Sequence, residues 1–402
     1  MKGLNGTMLT CLSLAIASPR VEAQGPDSSS ITIYGFAMAD AIFDFKQNNP
    51  DWFDVMRPSK LPSVANEFGE DGRFYLSARQ SRLGVSGTRM TSHGEMKAVF
   101  EFDLFGVGGD AGQTTIRPRH MWGQWGKFGA GQTNSPFMDG DVFPNTVEYW
   151  GPNGMLFFRN VMIFWQPKND DDGRITVAIE RPGASGDLGV YADRVELSGI
   201  VPRFPLPDLS AEWRLSRGWG YIEAAGMLRA LYYDDLLDDQ FDLSGNDMGW
   251  GISLSSNWKP NSSNTLRLQF VYGEGVENYF NDAPVDVGVQ TNPGNATRPL
   301  VGKALGDLGL VAYLDHAWSP TWASAVGWSM VDIDNSNGQA PSAYSLGQYA
   351  SANLVYTPVP NVMMTSEFQW GYRENFSDGF TSDDFRIQVS FKYNFSKTFG
   401  GM

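Results

Sequence analysis

The sequence predicts an all-β fold, a closed sixteen-stranded antiparallel transmembrane β-barrel with one loop folded inward as a constriction. Three observations carry this prediction. Segments in which apolar and polar residues alternate occur sixteen times, an even number that lets a closed antiparallel barrel begin and end on the same side. The links between these segments alternate between short and long. Aromatic residues fall near the segment ends.

Each alternating segment has one apolar face and one polar or charged face. In the last segment, for example, Phe385, Ile387 and Val389 alternate with Arg386 and Gln388. Alternation alone does not distinguish a membrane barrel, whose apolar face contacts lipid, from a water-soluble sandwich, whose apolar face points inward. The predicted strands are residues 31–45, 73–89, 94–105, 114–124, 127–133, 156–166, 173–181, 208–217, 219–233, 247–258, 263–274, 306–318, 320–333, 342–357, 362–375 and 382–395.

The lengths of the links favour the barrel. Short links, such as residues 91–93 and 260–262, alternate with longer ones. Short turns at one rim and long loops at the other are typical of bacterial outer-membrane barrels. A sandwich has no reason to alternate its loop lengths so regularly. The long loops are residues 46–72, 134–155, 182–207 and 275–305.

Tryptophan and tyrosine residues near strand ends are expected to form girdles at the membrane–water interfaces. Any one of them taken alone is better explained as a core aromatic of a sandwich, so this observation counts only together with the other two. The residues concerned are Trp258, Trp318, Trp322, Tyr356, Trp370, Tyr372 and Tyr393.

The amino terminus predicts export. Lys2 precedes an apolar stretch, and residues 21–23 (Val-Glu-Ala) resemble a small-residue cleavage site, so we expect a signal peptide at 1–23 and a barrel domain at 24–402. Cys11, the one cysteine, falls in the signal peptide, which leaves the mature chain without a disulfide framework. A net charge of −15 argues against a partner that is nucleic acid.

Four short motifs stand close together in residues 117–165: Gly-Gln-Trp-Gly, Gly-Gln-Thr, Phe-Met-Asp and Tyr-Trp-Gly-Pro-Asn-Gly. With them the segment resembles the DcaP-like porins, outer-membrane channels of Gram-negative bacteria associated with small dicarboxylic acids. The resemblance extends loosely over most of the mature chain. It implies a homotrimer of sixteen-stranded barrels in the outer membrane, with the third long loop folded into the lumen.

Charged residues on and around the third long loop are the candidate pore-lining set. The loop carries Asp139, Asp141 and Glu148, and low-dielectric walls would focus the field of such charges across a narrow opening. Arginine stays charged and binds carboxylates bidentately, so an arginine wall would favour small anions such as dicarboxylates. The alternative left open is that these arginines pair with wall carboxylates such as Glu101 and Asp103. The candidate arginines are Arg82, Arg117, Arg119, Arg159, Arg214, Arg229 and Arg373.

Three functions remain to be distinguished: a passive porin for small anions, a plugged or adhesive barrel that acts through its external loops, and a membrane-embedded hydrolase. The histidines His93, His120 and His316 show no metal-ligand spacing, and no nucleophile motif is found. We therefore expect no enzyme, metal or cofactor. The expected partners are outer-membrane lipid, lipopolysaccharide and small anionic solutes.

Overall fold

The computed structural model describes residues 29–106 and 115–400. The predicted signal peptide at 1–23, with Cys11, lies outside the described residues. Regular structure in the described residues consists of β-strands and short 3₁₀ turns. No helix among them is long and apolar enough to cross a membrane.

The barrel strands form one continuous antiparallel sheet in which each strand pairs with its neighbours in the chain, and three short strands form a second sheet: Gly186–Asp187, Val287–Thr291 and Leu300–Ala304. Two of the strands are interrupted and consist of two parts. The barrel strands are β1 Ser29–Asp44, β2 Arg73–Ser77 with Arg82–Thr91, β3 Gly94–Asp103, β4 Arg117–Trp125, β5 Phe128–Asn134, β6 Arg159–Asp170, β7 Gly173–Glu180, β8 Ile200–Arg203 with Asp208–Arg217, β9 Gly220–Asp235, β10 Gly245–Trp258, β11 Asn264–Glu274, β12 Gly306–Ala317, β13 Trp322–Asp334, β14 Tyr344–Tyr356, β15 Val362–Asn375 and β16 Thr381–Gly400.

Pairing of the first and last strands closes the barrel. β1 and β16 are antiparallel neighbours from the pair Ser30 and Gly400 to the pair Asp44 and Arg386. Closure leaves no open sheet edge in hydrocarbon, where each unpaired backbone group costs several kcal/mol. The prediction of sixteen antiparallel strands in a closed barrel is confirmed.

The two interruptions have local causes. In β2 the break at residues 78–81 turns Gln80 into the barrel, where its Nε2 donates to Asp40 Oδ2 (3.1 Å). In β8 the break at residues 204–207 contains two prolines, which lack the N–H that a strand ladder requires.

β16 is longer than predicted. Alternation predicts an end at Phe395, but the strand continues to Gly400 because the start of β1, from Ser30 onward, supplies a backbone partner for every additional residue. Residues 396–400 therefore extend the wall.

The two faces of the wall have opposite chemistry. On β16 the side chains of Arg386 and Gln388 are fully buried inside the barrel, whereas Val389 is 52% and Phe391 is 47% exposed on the outside. An apolar outer face and a polar inner face are the arrangement required in a bilayer.

Apolar clusters fill part of the interior, and three long loops build them. Segments 45–72, 135–158 and 275–305 turn inward and pack their apolar side chains against inward residues of β9 to β14. The larger cluster contains Phe137, Met138, Leu156, Met227, Val271, Val276, Tyr279, Phe280, Leu305, Val331, Ile333 and Tyr344, and the smaller contains Met56, Leu61, Val142, Met155, Val311, Tyr313 and Tyr349.

Candidate functional site

The loop predicted at 134–155 runs from residue 135 to residue 158 and bonds to inward side chains around the wall. Near its middle, the Val147 amide donates to Glu367 Oε2 of β15 (2.9 Å). Further along, the Gly154 amide donates to Ser329 Oγ of β13 (2.9 Å). The loop therefore lies inside the barrel.

Arg214 of β8 holds the two loop aspartates. Its Nη2 donates to Asp139 Oδ1 (2.7 Å), its Nη1 donates to Asp141, and its Nε donates to Glu223 of β9 (2.6 Å). The guanidinium lies 3.9 Å from the centre of the Tyr221 ring, and the Tyr221 hydroxyl donates to Asp139 Oδ2 (2.7 Å). Both aspartates are thus ion-paired and anchor the loop to the wall.

A second arginine group lies on the wall formed by β2 to β4. Arg119 of β4 donates to Glu101 (2.8 Å) and Asp103 (2.8 Å) of β3. Arg117 donates to the same Asp103 through Nε (3.1 Å) and Nη2 (2.8 Å). The Tyr149 hydroxyl of the inward loop also contacts Arg119 (2.7 Å) and donates to Asp103 (2.6 Å).

Arg82 of β2 joins this group with weaker pairing. Its Nη1 lies 3.5 Å from Glu101, and its guanidinium lies 5.2 Å from the centre of the Phe36 ring. Its Nε has no hydrogen-bond partner among the described residues. Three guanidiniums thus share two carboxylates, because Arg117 and Arg119 already occupy Asp103.

Two predicted arginines have no carboxylate within 4.0 Å in the described part of the chain. Arg373 of β15 donates to Asn375 (2.9 Å) and to the Ser59 carbonyl (2.8 Å). Arg159 lies 4.9 Å from the centre of the Phe157 ring, and one of its terminal nitrogens has no partner among the described residues.

Arg229 of β9 is fully buried. It donates to Asp208 (3.1 Å), to Asp286 of loop 275–305 (2.8 Å) and to the Gly275 carbonyl (2.6 Å). Like Arg214, it ties an inward loop to the wall.

Glu148 joins two loops. Its carboxyl group accepts hydrogen bonds from the amides of Met56 (3.0 Å) and Gly151. Burial raises the pKa of this carboxyl to about 8, because the charged form loses its water and these amides only partly compensate.

A cavity of about 530 Å³ lies between the inward loop and the wall formed by the first strands. Four predicted residues border it: Arg82, Arg119, Asp141 and Glu148. The remaining residues of the predicted pore-lining set do not border this cavity: Arg117, Asp139, Arg159, Arg214, Arg229 and Arg373.

The cavity also contains two lysines that sequence reasoning missed. The Nζ atom of Lys97 lies 5.6 Å from the centre of the Trp122 ring, and that of Lys392 lies 3.8 Å from the centre of the Phe36 ring. Both lysines occupy the polar faces of predicted strands. Strand alternation therefore predicts an inward position for both.

Metal ligands are not gathered at this site. In residues 29–106 and 115–400, no three His, Cys, Asp or Glu side chains are arranged to hold a metal ion. His120 borders the cavity and its Nδ1 lies 3.1 Å from Thr133 Oγ1. The site offers guanidinium and ammonium groups, which bind anionic oxygens, beside the carboxylates of Glu101, Asp141, Glu148 and Glu212.

Solved structures similar to this chain are outer-membrane channels. The DcaP channel of Acinetobacter baumannii is 20% identical, with a TM-score of 0.75 over 92% of this chain and 98% of that one. An anion-selective porin from Comamonas acidovorans is 11% identical, with a TM-score of 0.57 over 91% and 100%. A trimer form of OmpT from Vibrio cholerae is 10% identical, with a TM-score of 0.53 over 92% and 100%. At these identities the similarity establishes the fold.

Family membership follows from the sequence. No curated protein matches the chain. The family model described as DcaP outer membrane protein matches residues 3–280, which is more than half of the chain and includes the inward loop. This chain therefore belongs to the DcaP outer membrane protein family.

Proposed function

We propose that the chain is a diffusion channel that favours small anionic solutes, dicarboxylates among them. The observation that carries the proposal is the surplus of positive charge on one wall, where Arg82, Arg117 and Arg119 share Glu101 and Asp103. Low-dielectric walls strengthen the field of such a surplus in a narrow passage.

The cavity lining supports the same preference. Lys97 and Lys392 add two ammonium groups to the wall that carries Arg82 and Arg119. Burial raises the pKa of Glu148 to about 8, so part of this carboxyl is uncharged at pH 7 and opposes the cations less. Several cationic groups along one wall could accommodate the two carboxylates of a dicarboxylic acid at once. The similarity to a porin described as anion-selective is consistent with this preference.

The inward loop is proposed as the constriction, at the predicted residues 134–155. It crosses the interior and narrows the route to the side that holds the cavity. We further propose export through the signal peptide at 1–23 and assembly as a homotrimer, for which the trimeric OmpT neighbour is the precedent. Chemical cross-linking of the purified protein in lipid, followed by denaturing electrophoresis, tests the trimer. A monomer band without cross-linked dimer or trimer bands would contradict it.

The reversal potential under a potassium chloride gradient in planar bilayers tests the function. We expect anion preference, a smaller preference in Arg82→Gln, and an unchanged one in the control Lys303→Gln, whose exposed pair with Asp334 (3.3 Å) does not border the cavity. Replacing chloride with succinate should preserve a current carried by the anion. Cation preference in the unmodified protein would refute anion selection.

A second candidate, a plugged or adhesive barrel, is favoured by one observation. Three loops occupy much of the interior and pack apolar side chains there. Absence of current from correctly folded protein would replace the channel proposal with this one.

A further inference from the structure

Arg57, which sequence reasoning did not single out, lies between two tryptophans from different loops. Its guanidinium lies 4.4 Å from the centre of the Trp52 ring in its own loop and 4.2 Å from the centre of the Trp150 ring in the inward loop. The two indoles also meet edge to face, with centroids 5.3 Å apart. Such stacking is strongest when the cation is largely desolvated, and the Arg57 side chain is 12% exposed.

A third loop completes the contact. Arg57 Nε donates to Asp282 Oδ1 (2.8 Å), and the Asp282 carboxylate, which is fully buried, also accepts hydrogen bonds from the Ser59 amide (2.8 Å) and hydroxyl (2.6 Å). We call Trp52, Arg57, Trp150 and Asp282 the Arg57 clasp. It connects segments 45–72, 135–158 and 275–305.

The inward loop and the third loop are also joined beside the clasp. Trp150 Nε1 donates to the Asn281 carbonyl (2.5 Å), and the Asn281 amide donates to the Met155 carbonyl (2.7 Å). The Phe157 amide then donates to the Tyr279 carbonyl (2.8 Å). The two loops therefore move as a pair if the clasp opens.

The clasp is connected through the chain to the arginine group on β2 to β4. Tyr149, the neighbour of Trp150, stacks on Phe105 with ring centroids 4.0 Å apart, and its hydroxyl contacts Asp103 and Arg119. A displacement of Trp150 would consequently withdraw Tyr149 from these side chains. It would also leave Arg119, which borders the cavity, with one contact fewer.

We propose that Arg57 is a positioning residue that holds the three inward loops together and thereby sets the width and the charge of the passage. This rests on the proposed channel function. Arg57 itself does not border the cavity, so its influence passes through Trp150 and Tyr149. Loss of the guanidinium removes the link between Trp52, Trp150 and Asp282 while leaving the wall arginines in place.

Single-channel recording of the full chain in planar bilayers, with the reversal potential as a second readout, tests the proposal. Arg57→Ala should raise the conductance, increase spontaneous closures and shift the reversal potential. Trp150→Phe keeps a ring under the guanidinium but loses the Nε1 hydrogen bond to Asn281, so it should lie between the unmodified protein and Trp150→Leu, which should resemble Arg57→Ala. Heat-modifiable electrophoretic mobility reports whether each barrel has folded.

Arg203→Ala is the matched control. Arg203 also pairs with an aspartate (Asp234, 2.8 Å) and lies over an aromatic ring (Tyr232, 5.0 Å), but it connects no two inward loops. We expect its conductance to be unchanged. If Arg57→Ala folds poorly, Asp282→Asn provides the same measurement from the other side of the clasp.

The outcomes separate this proposal from the channel function. An anion-selective unmodified channel whose conductance and selectivity are the same in Arg57→Ala and Trp150→Leu overturns the clasp alone. A silent unmodified protein that conducts after Arg57→Ala supports the clasp and overturns the diffusion channel. Silence in all folded variants overturns both.

Discussion

The two sides of this barrel use arginine differently. On the side of β2 to β4, Arg82, Arg117 and Arg119 pair with carboxylates of the wall itself and border or approach a cavity. On the side of β8 and β9, Arg214 and Arg229 pair with carboxylates that the inward loops supply as well as with wall acids.

The difference follows from what faces each arginine. Where loops fill the interior, loop carboxylates neutralise the guanidiniums, and the ion pairs hold the loops to the wall. Where the interior stays open, the guanidiniums outnumber the acids and keep their field. The same residue type on the same kind of strand face therefore stabilises the fold on one side and can attract solutes on the other.

Arg229→Met should have the largest effect, because it leaves Asp208 and Asp286 buried without a cation. Breaking a buried ion pair by removing one partner costs about 3–5 kcal/mol. Urea-induced unfolding in lipid bilayers measures this loss. In Arg203→Met, which breaks an exposed pair with Asp234, the loss should be about 0–1 kcal/mol. Equal losses in the two variants would contradict the assignment of Arg229 as an anchor.

Arg214→Gln should mainly change selectivity. Without the guanidinium, Asp139 and Asp141 lose their ion pair, and the inward loop gains negative charge at the edge of the cavity. The reversal potential should move toward cation preference. The double substitution of both aspartates by asparagine in the same background should restore it. No shift in Arg214→Gln would mean that these aspartates lie away from the conduction path.

Glu148 makes the attachment of the inward loop depend on pH. Its pKa in the folded protein is raised from 4.5 to about 8, so the stability it contributes is complete below pH 4.5 and is lost as pH rises through about 8. Glu148→Gln removes the titratable proton and keeps an acceptor oxygen for one of the two amides, those of Met56 and Gly151, that donate to Oε1 and Oε2. Melting temperature plotted against pH should therefore fall less steeply in this variant between pH 4.5 and 8. Parallel curves would count against burial of this carboxyl.

Lys97→Gln should have the smallest effect. Lys97 borders the cavity without a carboxylate within 4.0 Å in the described residues, so its removal should reduce anion preference slightly. Unfolding free energy should change by no more than about 0.5 kcal/mol, as at other sites without a buried partner. A stability loss comparable to that of Arg229→Met would place Lys97 among the anchors instead.

The sequence predicted the wall better than the interior. Residues 382–395 alternate so regularly that the inward position of Arg386 and the outward position of Phe391 could be read directly. The continuation to Gly400 was missed because the polar residues after Phe395 weaken the pattern, although β1 extends far enough to pair with them.

The role of the candidate residues in the pore stays a prediction. The structure brings two loop acids, Asp139 and Asp141, to one wall arginine, Arg214, a pairing that the sequence did not indicate. The pairing of Arg119 with Glu101 and Asp103 followed the alternative in which wall charges neutralise one another. Arg57 was overlooked because nothing in its local sequence indicates that two tryptophans will enclose it.

The sequence by itself determined where the strands lie and which residues share a face, because a period of two residues is a local property of the backbone. The tertiary structure decided which charges meet inside the barrel. Arg214 reaches an aspartate 75 residues away, and Arg57 reaches one 225 residues away. Such contacts depend on how far each loop turns into the lumen, and no local pattern of residues encodes that path.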